Sequence, residues 1–330
     1  MVIFMASQIH IGPLPPPLGG ISVYLSRLQK AHPEYLVLNL MQMSKLDWLK
    51  LVFFSDCEVV LHGYFFKWLI LFRLFSVVRK QPYSLVVHGQ GLMGRYRANL
   101  YGMWIVRYAL GGCKHIYVDA EHLKNDILSE MPEYISKIVI KNPFLPPSED
   151  EEDSVLATYS EDVQCFMSNH SPLLVANAYQ LAEWKNIQDL YGLDLCVELV
   201  RRLRRDYPQV GLLFALANDK YRIDYYDDMR QRIKEYHIED NICFFTGQRE
   251  LWPVFKRATI MVRPTCTDGN SVSIQEALAL HCPVVASDVC PRPEGTIVFA
   301  NRDMQDFEQK VRFLLEKLKG DISFDKNEIL

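Results

Sequence analysis

The run from residue 258 to residue 287 constrains the fold more than any other stretch. Ala258-Thr-Ile-Met-Val262 is short, apolar and rich in β-branched residues, the pattern of a strand buried in a parallel sheet. Pro283-Val-Val-Ala-Ser287 reads as the next strand. Between them lie a polar, Gly-containing loop and then residues 273–280, where Ile274, Ala277 and Leu278 fall at i, i+3 and i+4 on one helical face. The stretch is therefore a strand–loop–helix–strand unit with its loop at the helix N-terminus.

A helix N-terminus offers unpaired backbone N–H groups and the positive end of a dipole, which suits a phosphate. Gly269 lets a ligand approach the backbone closely, and Asn270, Ser271 and Ser273 add side-chain donors. Asp268 lies in the loop and Glu276 one turn inside the helix. Two carboxylates so placed suit hydroxyls on either side of a bound diphosphate. The same residues also suit an ordinary capped helix, with Asp268 or Ser271 as cap and Glu276 solvated.

The stretch resembles the signature of family 4 glycosyltransferases, which have the two-domain GT-B fold. Pro264-Thr265 stands where the family has Pro-Ser, and Asp268 where it has its first Glu. Glu276-Ala-Leu-Ala-Leu-His-Cys-Pro-Val-Val-Ala286 stands for the rest. Asp for Glu shortens the first carboxylate by a methylene, and His281 replaces a usual Gly. The match continues in Asn241-Ile-Cys-Phe-Phe-Thr-Gly247 and Pro291-Arg-Pro-Glu-Gly295. The resemblance implies an α/β architecture of two doubly wound Rossmann-like domains facing a central cleft. The acceptor side is then residues 1–150 and the nucleotide-sugar side residues 151–330.

Composition agrees with two domains: 330 residues are too many for one typical core. A net charge of −4 gives no basic field for nucleic acid. Eight cysteines without CxxC spacing show no zinc or disulfide framework and fit a reducing cytoplasm. Residues 2–6 are an expected strand rather than a leader, and no apolar run reaches the roughly 20 residues that span a bilayer.

In the N-terminal half, residues 2–11 read as a first strand, followed by Gly12-Pro-Leu-Pro-Pro-Pro-Leu-Gly-Gly20 and a helix with Ile21, Leu25 and Leu28 on one face. The resemblance implies that Gly19 and Gly20 reach the donor diphosphate. Strands are expected at 35–40, 57–61, 83–87, 115–120 and 138–140. The segment 64–80 crowds Phe65, Phe66, Trp68, Phe72 and Phe75 with Leu69, Ile70, Leu71 and Leu74, adds Lys67, Arg73, Arg79 and Lys80, and has no acid. That is the profile of an interfacial membrane helix, and equally of a crossover helix packed on a sheet. His88-Gly89-Gln-Gly91 ends a strand, where open αβ sheets bind ligands. The resemblance implies a functional His88 near the donor sugar. Arg95 and Arg97 suit an acceptor phosphate, or a solvated basic face.

Residues 142–153 combine Pro-rich and acidic sequence, a linker signature that marks the domain boundary. Strands are expected from 173, at 210–217 and at 242–245, with helices at 190–203 and around 225–236. The family has Gly-Arg-Leu and then Lys-Gly after the first strand of this domain, and its Arg and Lys hold the diphosphate. Here Asn177-Ala-Tyr-Gln-Leu-Ala-Glu-Trp-Lys-Asn-Ile-Gln-Asp-Leu-Tyr-Gly192 has no Arg. Lys185 is the nearest cation, with Arg263 or Arg249 as replacements. The implied activity is a hexosyl-type transfer, with retention, from a UDP- or GDP-linked sugar to a hydroxyl of a lipid-linked glycan in cell-surface polysaccharide (O-antigen or capsule) assembly. His88, Asp268 and Glu276 are the expected catalytic residues. Gly19, Gly20, Lys185, Gly247, Gly269, Asn270, Ser271, Val272 and Glu276 are the expected donor ligands, and Arg95 and Arg97 the acceptor ligands. No Asp-x-Asp occurs, so neither a metal nor a cofactor is expected. A non-catalytic nucleotide-sugar-binding subunit and a sugar-nucleotide epimerase are the alternatives. The expected location is cytoplasmic, with peripheral contact on the inner face of a membrane through 64–80.

Overall fold

The computed structural model describes residues 6–320 apart from 17, 45, 49–50, 52–56, 64, 143, 188 and 270. Contacts divide the chain into two units, Met1–Leu145 and Pro146–Leu330.

The first unit is a parallel sheet of β1 (Gln8–Gly12), β2 (Tyr35–Asn39), β3 (Glu58–His62), β4 (Tyr83–Val87), β5 (Cys113–Val118) and β6 (Ile138–Ile140), in the order β2-β1-β3-β4-β5-β6. Its described helices are α1 (Gly20–Ala31), α2 (Phe66–Arg79), α3 (Gly91–Ala98), α4 (Leu100–Gly111) and α5 (Glu121–Glu130). Alternation along the strands separates two faces. Ile9, Ile11, Val59, Leu61, Leu85 and Val87 form one apolar face, packed on Leu69, Phe72 and Phe75 of α2 and on Ile105, Val106 and Ala109 of α4. The opposite face carries Gln8, His10, Glu58, His62 and Ser84, because Gln8 registers with Glu58, His10 with Val60, and Val60 with Ser84. A polar stripe is unusual in a parallel sheet covered on both faces. The residues expected in the first strand before Ala6 lie outside the described part, as does Tyr64 at the start of the aromatic segment.

The second unit is also a parallel sheet: β7 (Leu173–Gln180), β8 (Gly211–Asn218), β9 (Ile242–Thr246), β10 (Ile260–Arg263), β11 (Val284–Ser287) and β12 (Thr296–Phe299), in the order β12-β11-β10-β7-β8-β9. Its helices are α6 (Glu152–Leu156), α7 (Glu161–Asn169), α8 (Leu193–Leu203), α9 (Ile223–Glu235), α10 (Trp252–Arg257), α11 (Val272–Ala279) and α12 (Met304–Gly320). Leu193, Cys196, Val197, Val200 and Leu203 make the stripe that seats α8 on one face of the sheet. Ile274 and Ala277 seat α11 on the other. The sequence reading lacked β12 and α12, although Phe307, Val311, Leu314 and Leu315 follow a helical period. The acidic run read as a linker is ordered: Lys256 pairs at 2.7 Å with both Glu149 and Glu152, and Arg257 at 2.7 Å with Glu152.

In each sheet the strand order reverses once, between β1 and β3 in the first unit and between β7 and β10 in the second. Ligands of open αβ sheets bind outside the carboxyl ends of the strands at such a point.

Candidate functional site

In the second unit, the strands at the reversal bring together Asn177, in the C-terminal half of β7, and Arg263, the last residue of β10. Arg263 donates through one nitrogen to the Asn177 backbone oxygen at 2.9 Å and its side-chain oxygen at 3.1 Å. The Asn177 amide in turn donates to the Ser273 hydroxyl at 3.1 Å, in the first turn of α11. The Arg263 Nε and its other nitrogen reach Asp268 at 3.0 and 3.3 Å, and Arg292 donates to the same carboxylate at 2.8 Å. Thr265 completes the cage, and the Gly269 N–H donates to Asp268 at 3.1 Å. Burial raises a carboxyl's pKa, but the charges of Arg263 and Arg292 outweigh it and hold Asp268 below its ordinary value. Asp268 is thus held by Arg263 and Arg292 from outside its loop and by Thr265 and Gly269 within it.

Two helix N-termini flank this point, and they differ. At α8, Gly192 is the left-handed N-cap, with φ of +74°. The buried Asp189 accepts the N–H groups of Tyr191, Gly192 and Asp194 at 2.9, 2.9 and 3.1 Å, and the Tyr225 hydroxyl at 2.8 Å. The Asp194 side chain takes the N–H of Leu195 at 2.8 Å. The protein's own carboxylates therefore fill that helix end. Burial, its largest cause, lifts the Asp189 pKa. At α11 no acid stands in the first turn, and the buried Ser271 hydroxyl at the N-cap has no partner among the described residues. First-turn N–H groups lack intrahelical partners, so α11 keeps an anion-binding end. Arg263 stands beside it, with its guanidinium 5.4 Å from the centre of the Tyr191 ring.

The other expected donor ligands scatter. Val272 opens α11, and Glu276 is buried in it near Tyr159, whose pKa it helps raise after burial and Glu250. Asn270 lies outside the described residues. Gly247 follows β9 directly, at φ of +92°. Lys185 is exposed at the tip of a turn closed by a Trp184–Ile187 bridge, its ammonium 5.7 Å from the centre of the Trp184 ring. Arg249 bonds the Thr158 and Gln248 carbonyls.

In the first unit, Gly19 and Gly20 are exposed at the start of α1, where the Ser22 hydroxyl accepts the Gly19 N–H at 2.9 Å. Gly12 ends β1 so tightly that an added Cβ would stand 2.6 Å from Leu25 and 2.9 Å from His62. His88 follows β4 and is not alone. His10 Nδ1 lies 2.9 Å from His62 Nε2, and His62 Nδ1 lies 3.2 Å from His88 Nε2. Burial drives all three imidazoles down: His10 to about 4, His88 to about 4, and His62 well below its ordinary value. Lys141 also opposes protonation of His10, and His88 that of His62. The rings are neutral at pH 7. The sequence reading found His88 alone; the alternation of Gln8-Ile-His-Ile-Gly12 and Glu58-Val-Val-Leu-His62 was the signal for the other two.

The two acceptor arginines diverge. Arg95 lies over Phe65 and Phe66, 5.0 and 5.3 Å from their ring centres. Arg97 pairs with Asp126 at 2.6 Å and Glu130 at 3.3 Å. Among the described residues, no helix is long and apolar enough to cross a membrane, and no group of three or more His, Cys, Asp or Glu is placed to hold a metal ion.

Residues 185–317 match the family of glycosyl transferases group 1. No curated protein matches the chain by sequence. Solved structures are similar over nearly the whole length. HepE of Anabaena in complex with UDP is 12% identical at a TM-score of 0.67, over 95% of this chain and 91% of that one. A glycosyltransferase from Rickettsia africae is 13% identical at 0.65, over 95% and 89%. A UDP-forming trehalose-phosphate synthase from Burkholderia xenovorans is 13% identical at 0.65, over 98% and 92%. At such identities the likeness establishes the fold, and the family match covers residues 185–317 of the second unit. The chain has the GT-B fold, and its residues 185–317 match the group 1 glycosyl transferases.

Proposed function

We propose that the second unit binds a nucleoside-diphosphate sugar with its diphosphate at the N-terminus of α11. The observation that carries this reading is the buried Ser271 hydroxyl at that helix end, which has no partner among the described residues, beside the strand-order reversal and Arg263. Arg263 takes the place of the arginine that the family 4 pattern has and this chain lacks, and Asn177 and Asp268 aim it. Glu276 binds a ribose hydroxyl. UDP in the similar HepE structure, and UDP-2-fluoro glucose on a similar E. coli protein, favour a uridine donor.

In the transfer, the bond from the sugar C1 to the diphosphate oxygen breaks and a bond to the acceptor oxygen forms. The helix end and Arg263 stabilise the charge that gathers on the leaving diphosphate. The resemblance to family 4 supports retention of configuration, with the leaving phosphate taking the acceptor's proton. It also supports a role in cell-surface polysaccharide assembly. The exposed apolar residues of α2 and α4 support a lipid-linked acceptor at the inner membrane face.

Calorimetry with free UDP and GDP tests the core of the proposal. One of them binds the wild type. Glu276→Ala, which loses a charge-assisted hydrogen bond worth about 1.5–3 kcal/mol, binds it at least about tenfold more weakly. Equal affinity in the two proteins removes Glu276 from the site. Binding of neither nucleotide removes the donor assignment.

A further inference from the structure

The three histidines belong to a longer chain of hydrogen bonds whose direction can be worked out. It begins at Glu58, whose two oxygens accept from the Ser84 hydroxyl at 2.7 Å and from the Gln8 amide nitrogen at 3.1 Å. The Gln8 amide is thereby oriented: its nitrogen faces Glu58, so its oxygen faces His10 Nε2 at 3.3 Å. The opposite orientation would set two acceptors, the amide oxygen and the carboxylate, against each other. An amide oxygen only accepts, so His10 carries its proton on Nε2 and a lone pair on Nδ1. His62 Nε2, 2.9 Å away, must then donate to that lone pair, which leaves His62 Nδ1 as an acceptor. His88 Nε2, 3.2 Å from His62 Nδ1, must donate in its turn. Each neutral imidazole has one donor and one acceptor nitrogen, so fixing the first ring fixes the next two.

The chain ends at His88 Nδ1, which keeps its lone pair and makes no hydrogen bond among the described residues. His10 and His62 are almost fully buried, whereas His88 is only partly so. The rings follow one another in a row, nitrogen to nitrogen, and do not converge on a common point as metal ligands would. Tyr24 of α1 packs against the row, with its ring 5.7 Å from that of His62 and 6.3 Å from that of His88. The titratable groups around these rings are Glu58, Lys141, His32, Tyr24, Tyr35 and Tyr117. Burial keeps the imidazoles neutral at pH 7.

We propose that Glu58, Gln8, His10 and His62 are positioning residues that lock His88 into its Nε2–H tautomer, so that its Nδ1 lone pair accepts a hydrogen bond from a hydroxyl of the sugar substrate. A neutral acceptor nitrogen welcomes a hydroxyl and repels a phosphate oxygen, so the chain of bonds also sets which part of a substrate this strand end recognises. The hydroxyl assignment rests on the glycosyltransferase reading above; the tautomer assignment does not.

The test is made on the full chain labelled with ¹⁵N-histidine, by long-range ¹H–¹⁵N correlation at neutral pH without substrate. The expected spectrum shows His10, His62 and His88 each protonated at Nε2 and bare at Nδ1. A proton on Nδ1 of His88 in the wild type overturns the proposal, and that measurement needs no variant and no activity. Gln8→Leu removes the acceptor that sets the direction, so His88 should then show averaged tautomers. Its kcat should fall about two- to tenfold, in proportion to the competent fraction, with the affinity for free nucleotide unchanged. If Gln8→Leu folds and His88 keeps the wild-type spectrum, Gln8 does not set the tautomer and the proposal fails. If the tautomer shifts and kcat does not, the lock stands and the hydroxyl contact is wrong.

Discussion

Asp268 is the residue whose role the geometry alters most. The sequence places it at a sugar hydroxyl. In the structure its carboxylate lies between Arg263 and Arg292, with its side chain only 11% exposed. Removing one partner of a buried ion pair leaves uncompensated charge and costs about 3–5 kcal/mol. Asp268→Asn should lower the urea midpoint accordingly, and should weaken nucleotide binding because Arg263 loses its support. Unchanged nucleotide affinity together with lost turnover would return Asp268 to the sugar.

The pH dependence of stability separates this pair from the histidines. Folded His10 and His88 titrate near 4 rather than 6.5, so between those values the unfolded chain binds protons that the folded chain does not. Stability is full above pH 6.5 and falls as pH drops through that window, by about 1.4 kcal/mol per pH unit for each such histidine. Asp268 has a depressed pKa, so its contribution persists above the ordinary carboxylate value and is lost only below it. Urea titrations at pH 7 and pH 5 should differ in wild type. A flat profile over that range would show that the histidines are not buried as neutral rings. At this scale the sequence revealed single residues, such as His88, Ser271 and Glu276, because each sits at a motif boundary. It hid pairs such as Arg263 with Asn177, which meet only through the parallel register of β7 and β10.

At the scale of elements, the strand–loop–helix–strand reading held because its periods are strong: α11 spans Val272–Ala279, between β10 and β11. What stayed hidden was the contrast between two helix ends that look alike in sequence. The end of α8 is closed by Asp189, a buried acid several residues upstream, and that of α11 is open. Gly192 joins the two regions. Its φ is +74°, and an added Cβ would stand 2.3 Å from the Pro264 carbonyl oxygen at the start of the β10–α11 loop. Gly192→Ala meets both a left-handed backbone, worth about 1–2 kcal/mol, and a backbone clash. Thermal melts should show a loss of more than about 2 kcal/mol, and the nucleotide Kd should rise because the loop beside Arg263 is pushed aside. A variant as stable as wild type would mean that this approach is looser than drawn.

At the scale of the whole molecule, the aromatic segment raises the question of what its outer face meets. Leu69, Phe72 and Phe75 of α2 are buried against the first sheet, as a crossover helix requires. Leu71, Leu74, Val77 and Val78 remain exposed, and α4 adds Leu100, Tyr101 and Trp104, so the two helices present apolar residues together. Such a patch is a candidate docking surface. Its cations are not equivalent. Arg73 is turned inward, with a buried Nε and its guanidinium 5.3 Å from the centre of the Tyr108 ring, so it belongs to the fold and not to the surface. Lys67, Arg79 and Lys80 are the basic residues left to meet anionic head groups, each worth about 1 kcal/mol near such a surface. Wild type should sediment with anionic vesicles at low salt and be released as salt shortens the screening length. Changing Lys67, Arg79 and Lys80 to Gln should weaken the binding, and Leu74→Ser with Trp104→Ser should weaken it further while the melting temperature stays put. Wild-type protein that remains in the supernatant at low salt would leave the face to another partner and point to an acceptor that is not held in a bilayer.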